Sequence, residues 1–349
     1  MTTRIYLDTR SLPGELGPFF SGLLQRRIAE RVEASFARWP EADAPPQASL
    51  WLDLRIDPGL GEEGFRIARA ETLSDSRRMV IEGGGRRGLT YGVGKFLRTA
   101  EYEAEDGRGF WPGGWQGQSA PAKQVRGIYF ATHFRNFYHR APLAEIEAYL
   151  EDLALWGYNA VTVWFDMHHY RSIQDLEAQA MIARLRAILS AARRLGLKIG
   201  LTTLGNEAYA DSPVALRGPW QGGQHGYFRD LPMYRVELCP SNPSGFDLLL
   251  RWRREVFEAF ADLPLSYVWV WPYDQGGCGC RECAPWGGNG FLKIARPVAQ
   301  LAREFFPEVK VVVSTWYFDC YTHGEFEAFA RQIEKDPAWL DYVMAEHPG

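Results

Sequence analysis

The sequence predicts an α/β fold in two parts: a small N-terminal α/β domain, then a TIM-type (β/α)8 barrel that is incomplete at its C-terminal end. Three observations predict it. Beyond about residue 123, short apolar runs alternate with amphipathic stretches of helical period. The runs are continuously apolar rather than alternating, as parallel strands covered on both faces require. No dinucleotide fingerprint accompanies the alternation, and a strand–helix series without one favours a barrel.

The N-terminal domain, with its linker, spans residues 1–122. Arg4-Ile-Tyr-Leu7 and Ser49-Leu-Trp-Leu-Asp-Leu54 read as strands. Between them Leu23, Leu24, Ile28, Val32 and Phe36 recur at helical spacing. Gly64–Ala68 and Met79–Ile81 read as two further strands. The glycine-rich run from Gly83 to Arg98 reads as a tight turn followed by a helix. Its spacing fits neither a Walker loop nor a dinucleotide fingerprint. Residues 103–123, with Trp111-Pro-Gly-Gly-Trp115, have linker composition.

The barrel takes residues 123–349. Its strands are predicted at 127–130, 160–165, 198–203, 267–271, 310–315 and 342–345. The helices between them carry apolar stripes. The first is Leu143, Ile146, Leu150 and Leu153, the second Ile182, Leu185, Leu189 and Ala192, and the third Phe246, Leu249, Val256 and Phe260. The fourth is Ile294, Val298, Leu301 and Phe305, with Pro297 as a kink or as the start, and the fifth is Phe326, Phe329 and Ile333. Five strand–helix units and a sixth strand fill the 225 residues from Val125 to Gly349. A closed barrel needs about 250 residues and eight strands. The chain is therefore expected to be a fragment of a longer protein; the alternative is strands hidden in residues 204–244.

Composition excludes several functions. The 349 residues carry 39 Lys+Arg against 43 Asp+Glu, a formal charge of −4, so a basic nucleic-acid footprint is not expected. No apolar run reaches the ~18 residues of a membrane span. The first residues lack a secretory signal, which points to the cytoplasm. With 13 Trp, 16 Tyr and 20 Phe, the chain has aromatic surface suited to stacking on sugar rings.

Chemistry in such barrels sits at the C-terminal ends of the strands. Those ends carry Thr132, His133, Arg135 and Asn136; Asp166, His168 and His169; Asn206 and Glu207; Asp274; Asp319; and Glu346 with His347. Trp164, Tyr209, Trp220, Trp271, Tyr273, Trp286, Trp316 and Tyr317 lie close by in sequence. Carboxylates among aromatics fit glycoside hydrolysis, where one carboxyl protonates the leaving oxygen and another acts as base or nucleophile. The expected sugar ligands are His133, Asp166, His168, Glu207, Trp271 and Trp316. Asp274 and Glu346 are the expected catalytic pair, with no cofactor required. His168 and His169, adjacent at a strand end, are expected to point opposite ways and to serve singly. Cys278, Cys280 and Cys283 crowd one loop, and Cys239 sits on the preceding strand–helix loop. Three readings stay open: a four-thiolate structural zinc, reduced thiols packed in the loop, or a redox pair.

Residues 64–98, ending in Gly88-Leu-Thr-Tyr-Gly92, resemble the small domain that precedes the barrel in glycoside hydrolase family 20 and in related α-glucuronidases. Residues 126–166 are similar to the first barrel unit of the hexosaminidases: Arg126-Gly127 opens a strand, and Asn159, Trp164 and Asp166 mark the next. The resemblance implies that Arg126 contacts sugar hydroxyls. It also implies an acid after the fourth strand. There the family carries His-x-Gly-Gly-Asp-Glu, and this chain carries Trp271-Pro-Tyr-Asp-Gln-Gly-Gly-Cys278, leaving Asp274 as the one acid in place. The sequence thus reads as a divergent branch of that superfamily, an O-glycosidase in its complete form. The alternatives are a carbohydrate-binding barrel without catalysis and a thiol- or zinc-bearing interaction protein.

Overall fold

The structure is a computed structural model that describes residues 3–38, 50–70, 77–102, 109–133, 135–219, 236–273 and 277–345. Asp274, Glu346, His347 and Trp220 lie outside the described residues. The chain divides into two compact units. One holds Met1–Arg126 with Ala148–Asn159 and Leu195–Leu197, and the other holds the rest.

The first unit begins with β1 (Thr3–Asp8), α1 (Leu16–Ala29), β2 (Ala34–Arg38), β3 (Leu50–Ile56), β4 (Phe65–Arg69) and β5 (Arg77–Gly83). It continues with α2 (Arg86–Thr99), a short pair β6 (Glu101–Tyr102) and β7 (Phe110–Trp111), and β8 (Gly117–Ser119). Its main sheet runs β2-β1-β3-β5-β4-β8. The first four strands are parallel, and β4 is antiparallel to its neighbours β5 and β8. Phe20, Leu23, Leu24 and Ile28 of α1 pack with Ile5, Leu52 and Ile81 of the sheet and Leu89, Val93 and Phe96 of α2.

Two expectations change here. The helical spacing read through Phe36 ends at Ala29, and Phe36 belongs to strand β2. Val32, Ala34 and Phe36 satisfy a two-residue period as well as the helical one, so periodicity alone did not decide. The stretch read as linker carries β7 and β8, the latter an edge strand on the main sheet. The glycine run is a packing device. A Cβ on Gly84 would lie 1.7 Å from the Gly61 carbonyl oxygen, so only glycine allows the turn before α2 to approach that backbone.

The second unit contains β9 (Gly127–Phe130), α3 (Phe137–Arg140), α4 (Leu143–Trp156, whose last residues count with the first unit), β10 (Ala160–Trp164), α5 (Leu176–Arg194) and β11 (Lys198–Leu204). It goes on through α6 (Pro243–Ala259), β12 (Tyr267–Trp271), α7 (Gly290–Phe305), β13 (Lys310–Ser314), α8 (Glu325–Lys335) and β14 (Tyr342–Met344). Pro297 lies inside α7 rather than at its start.

The six strands β9 to β14 form one sheet, all parallel and in strictly sequential order. A doubly wound sheet would reverse its order partway; this one accrues strands in one direction, as a barrel wall does. Among the described residues β9 and β14 are its two edges. Its faces differ chemically. Val161, Val163, Ile199, Leu201, Val268, Val270, Val311 and Val313 are buried, and each contributes about 1.5–3 kcal/mol. By the register, Tyr129 stands beside Thr162, Trp164 beside Thr202, and Thr202 beside Trp269 on the other face. That aromatic and hydroxyl-bearing face leads upward to the strand C-termini.

Candidate functional site at the strand C-termini

The ends of β9, β12 and β13 place three aromatic residues together. Tyr129 and Trp271 have ring centroids 4.9 Å apart, and Trp271 and Trp316 follow at 6.3 Å. Tyr317 meets Trp316 edge-on at 4.6 Å and stacks on Tyr321 at 5.6 Å. All five residues are half-buried, and each ring contacts the next. His133 joins the row: its Nε2 is 3.0 Å from the Tyr129 hydroxyl, and its ring meets Trp164 edge-on. Burial pushes the His133 pKa down to about 4, so the imidazole is neutral near pH 7.

Beside this row lies a buried ionic cluster. Asp166, after β10, begins a 3-10 turn at Met167–His169 and accepts from the His168 backbone N–H at 3.2 Å. His168 Nδ1 donates to Asp166 at 2.8 Å, and His168 Nε2 lies 3.2 Å from Glu237. His169 Nε2 lies 3.1 Å from the other Asp166 oxygen. Burial opposes charge on both Asp166 and His168. The hydrogen bonds to His168 and His169 overcome it for Asp166, whose pKa is lowered; those to Asp166 and Glu237 overcome it for His168, whose pKa stands well above its ordinary value. The pair is therefore carboxylate and imidazolium.

Glu207, after β11, is fully buried. It accepts from Trp164 Nε1 at 3.0 Å, from the Met167 N–H at 2.8 Å and from the Leu204 N–H at 3.3 Å. Arg253 of α6, 1% exposed, sits 3.6 Å from Glu207 and donates to the carbonyls of Leu204 at 2.8 Å and Glu207 at 3.2 Å. Burial raises the Glu207 pKa, against the opposing pull of Arg253 and His168. Both carboxylate oxygens nevertheless accept N–H donors, the bonding pattern of the ionised form.

Asp166, His168 and Glu207 were expected to contact sugar. In the structure all three are buried, and they bond or pair with one another, with neighbouring side chains such as Trp164 and Glu237, and with the backbone. The two histidines also depart from expectation: they lie in a 3-10 turn, not on a strand, so both rings reach Asp166 instead of diverging.

Arg126 is placed elsewhere. It precedes β9 and so stands at the N-terminal end of that strand, away from the C-terminal mouth. Its guanidinium donates to Gly157 O at 2.7 Å, Glu63 at 2.9 Å and the Tyr91 hydroxyl at 3.0 Å, while its backbone N–H donates to Asn159 Oδ1 at 2.9 Å. Asn159 in turn donates to Glu63 at 3.0 Å. Burial opposes the Glu63 carboxylate, but the hydrogen bonds from Asn159 and Arg126 leave its pKa lowered. In the structure Arg126 is a hydrogen-bonding anchor of the first unit. Tyr91, Arg126 and Asn159, three residues of the motifs quoted above, are thus partners in one knot.

Two buried side chains, Glu325 and Asn206, bind Tyr273 and Gly277. Tyr273 donates its hydroxyl to Glu325 at 2.7 Å. Glu325 also accepts from the N–H groups of Gly287 at 2.9 Å and Asp319 at 2.9 Å. Gly277 donates its N–H to Asn206 Oδ1 at 2.8 Å, and Asn206 returns a bond to the Gly277 carbonyl at 2.9 Å. The backbone here departs from ordinary conformations too. Arg135, Tyr317 and Asp319 are the described non-glycine residues with positive φ, at 61°, 58° and 61°, and all follow strand C-termini.

Sequence reasoning missed Glu237, Arg253 and Glu325. Arg253 left a signal, since it falls between Leu249 and Val256 on the apolar stripe of its helix, where a charge needs a buried partner. Cys239, Cys278, Cys280 and Cys283 come together, with all four sulfurs within 4.8 Å of one another.

No protein-family model matches the sequence, and no curated protein is similar to it. Solved structures are similar in fold. The family 20 β-N-acetylhexosaminidase from Streptomyces coelicolor aligns over 99% of this chain and 71% of its own, with a TM-score of 0.62 at 15% identity. The family 20 exo-β-N-acetylglucosaminidase from Vibrio harveyi aligns over 98% of this chain and 57% of its own, at 0.60 and 13%. A family 138 glycoside hydrolase targeting pectin rhamnogalacturonan II aligns over 98% of this chain and 38% of its own, at 0.54 and 13%. No helix among the described residues is long and apolar enough to cross a membrane.

Proposed function

We propose that this chain, which has the fold of the family 20 glycoside hydrolases, binds a carbohydrate at its strand C-termini and cleaves an O-glycosidic bond there. The observation that supports the reading best is the row of half-exposed rings Tyr129, Trp271, Trp316, Tyr317 and Tyr321. Flat aromatic faces take up the apolar faces of sugar rings, and the neutral His133 beside them suits a hydroxyl. Asp274 is the proposed acid. It follows β12 in sequence, in the place where the resemblance puts the family's acid. Glu346 is its proposed partner. A separation of roughly 5–5.5 Å would give retention and roughly 6.5–9.5 Å inversion.

The second reading, binding without hydrolysis, has its own support: the buried carboxylates Asp166 and Glu207 are consumed internally. One experiment separates the two. A panel of aryl glycosides and a glycan array are tested with the wild type and with Asp274→Asn. Hydrolysis predicts turnover that falls at least ~10²-fold in the variant while glycan binding and the unfolding midpoint persist. Glycan binding without turnover in either protein supports the second reading, and neither binding nor turnover refutes both.

A further inference from the structure

We propose that Cys239, Cys278, Cys280 and Cys283 form a four-thiolate site that binds one zinc ion and thereby fastens the loop after β12 to the segment before α6. This assignment is independent of the carbohydrate reading, since none of the four cysteines belongs to the aromatic row or to the proposed acid pair.

The geometry carries it. Cys239 Sγ lies 3.7 Å from Cys280 Sγ and 4.0 Å from Cys283 Sγ, and all four sulfurs fall within 4.8 Å of one another. Zinc–thiolate bonds of ~2.3 Å arranged tetrahedrally put neighbouring sulfurs about 3.8 Å apart. A disulfide needs about 2.05 Å, so the spacing is that of a metal cage and not of a redox pair caught closed. Four donors from two loops distant in sequence have converged on one point.

The surroundings fit as well. Cys278 and Cys283 are fully buried and Cys239 is 9% exposed, which shields three of the four thiols from water and oxidants, while Cys280 is half-buried. Cys280-Arg-Glu-Cys283 closes a turn through Cys283 N–H to Cys280 O at 3.0 Å, aiming both sulfurs to the same side. A Cβ on Gly218 would come within 2.7 Å of Cys278 Sγ, so the glycine leaves the room that this sulfur fills. Four thiolates around Zn²⁺ carry a net charge of −2, which calls for nearby donors. Ser241 Oγ lies 3.1 Å from Cys283 Sγ, and Lys293 Nζ donates to Ser241 Oγ at 2.8 Å. On binding, four thiols release four protons and form four Zn–S bonds, with no change of oxidation state. No coordination position stays open, so the ion is structural.

The test uses the full chain. Purified without chelator, it should contain one zinc per chain by elemental analysis. X-ray absorption at the zinc edge should show four sulfur neighbours at about 2.3 Å. Exchange for Co²⁺ should give the intense visible bands of tetrahedral tetrathiolate cobalt. Cys239→Ser and Cys283→Ser should lose the tightly held zinc, and Cys320→Ser, whose thiol is exposed and outside the cluster, should keep it. A wild type that holds no zinc and takes up no Co²⁺ overturns the assignment, as does a disulfide among the four. Nitrogen or oxygen in the zinc shell overturns the four-thiolate set, and that measurement needs no variant to fold.

Discussion

Replacing Arg253 with Met should cost about 3–5 kcal/mol at pH 7, the range for removing one partner of a buried ion pair. The cost has two parts with different pH dependence. Arg253 donates to two buried carbonyls, of Leu204 at 2.8 Å and Glu207 at 3.2 Å, and their loss does not vary with pH. The second part is the Glu207 carboxylate, which lies 3.6 Å from the guanidinium and is fully buried. Without Arg253 it can escape its burial by taking a proton. For an ordinary glutamate of pKa ~4.3, neutralisation costs about 3.7 kcal/mol at pH 7 and about 1.6 kcal/mol at pH 5.5. Those figures cap this part of the penalty. The sign follows from linkage: in the variant the folded state holds a proton that the unfolded state releases, so stability falls as pH rises. Urea unfolding followed by tryptophan fluorescence at both pH values measures the difference. The gap between Arg253→Met and wild type should narrow by up to about 2 kcal/mol at pH 5.5. Adding Glu207→Gln should remove that pH dependence. A variant within about 1 kcal/mol of wild type, or a penalty equal at both pH values, would refute a buried ion pair.

His168 has a raised pKa, so its contribution is fully present below the unfolded value of ~6.5 and is lost as pH rises through the folded value. Asp166 has a lowered pKa, so its contribution is present above ~3.9 and is lost as pH falls through its folded value. The His168→Gln variant should accordingly show a flatter alkaline limb in a plot of stability against pH; an unchanged limb would count against the imidazolium. Arg126→Met should lower stability by about 1–3 kcal/mol, by removing one of the Glu63 partners and the donor to the Gly157 carbonyl, and leave glycan binding of the folded protein intact. Lost binding at an unchanged unfolding midpoint would restore Arg126 as a sugar ligand.

The parallel strands were legible because burial on both faces demands unbroken apolar runs, such as Tyr267–Trp271 and Lys310–Ser314. The cysteine cluster was legible because adjacent barrel loops are neighbours whatever their separation in sequence. The roles of individual polar residues were less legible. Asp166 and Arg126 have the residue types of sugar ligands, and nothing in the one-dimensional pattern distinguishes a carboxylate facing solvent from one closed over by two histidines. Glu237 and Glu325 went unnoticed for the same reason, since a lone glutamate near a helix start or in a loop is usually solvated. The division between α1 and β2 failed for another cause: Val32 and Phe36 satisfy both periods, and the pairing of β2 with β1, a long-range contact, settles it.

The left-handed conformations of Arg135, Tyr317 and Asp319 bear on how this protein could be improved or spoiled. A side chain held there costs on the order of 1–2 kcal/mol relative to glycine, so each is an unclaimed increment of heat tolerance. Glycine would collect the increment and in the same stroke loosen the loops that set Tyr317 and its neighbours in line. Under the proposed carbohydrate reading, thermostability and ligand selectivity trade against each other at these three positions, and selection for ruggedness alone would be expected to erode the mouth first.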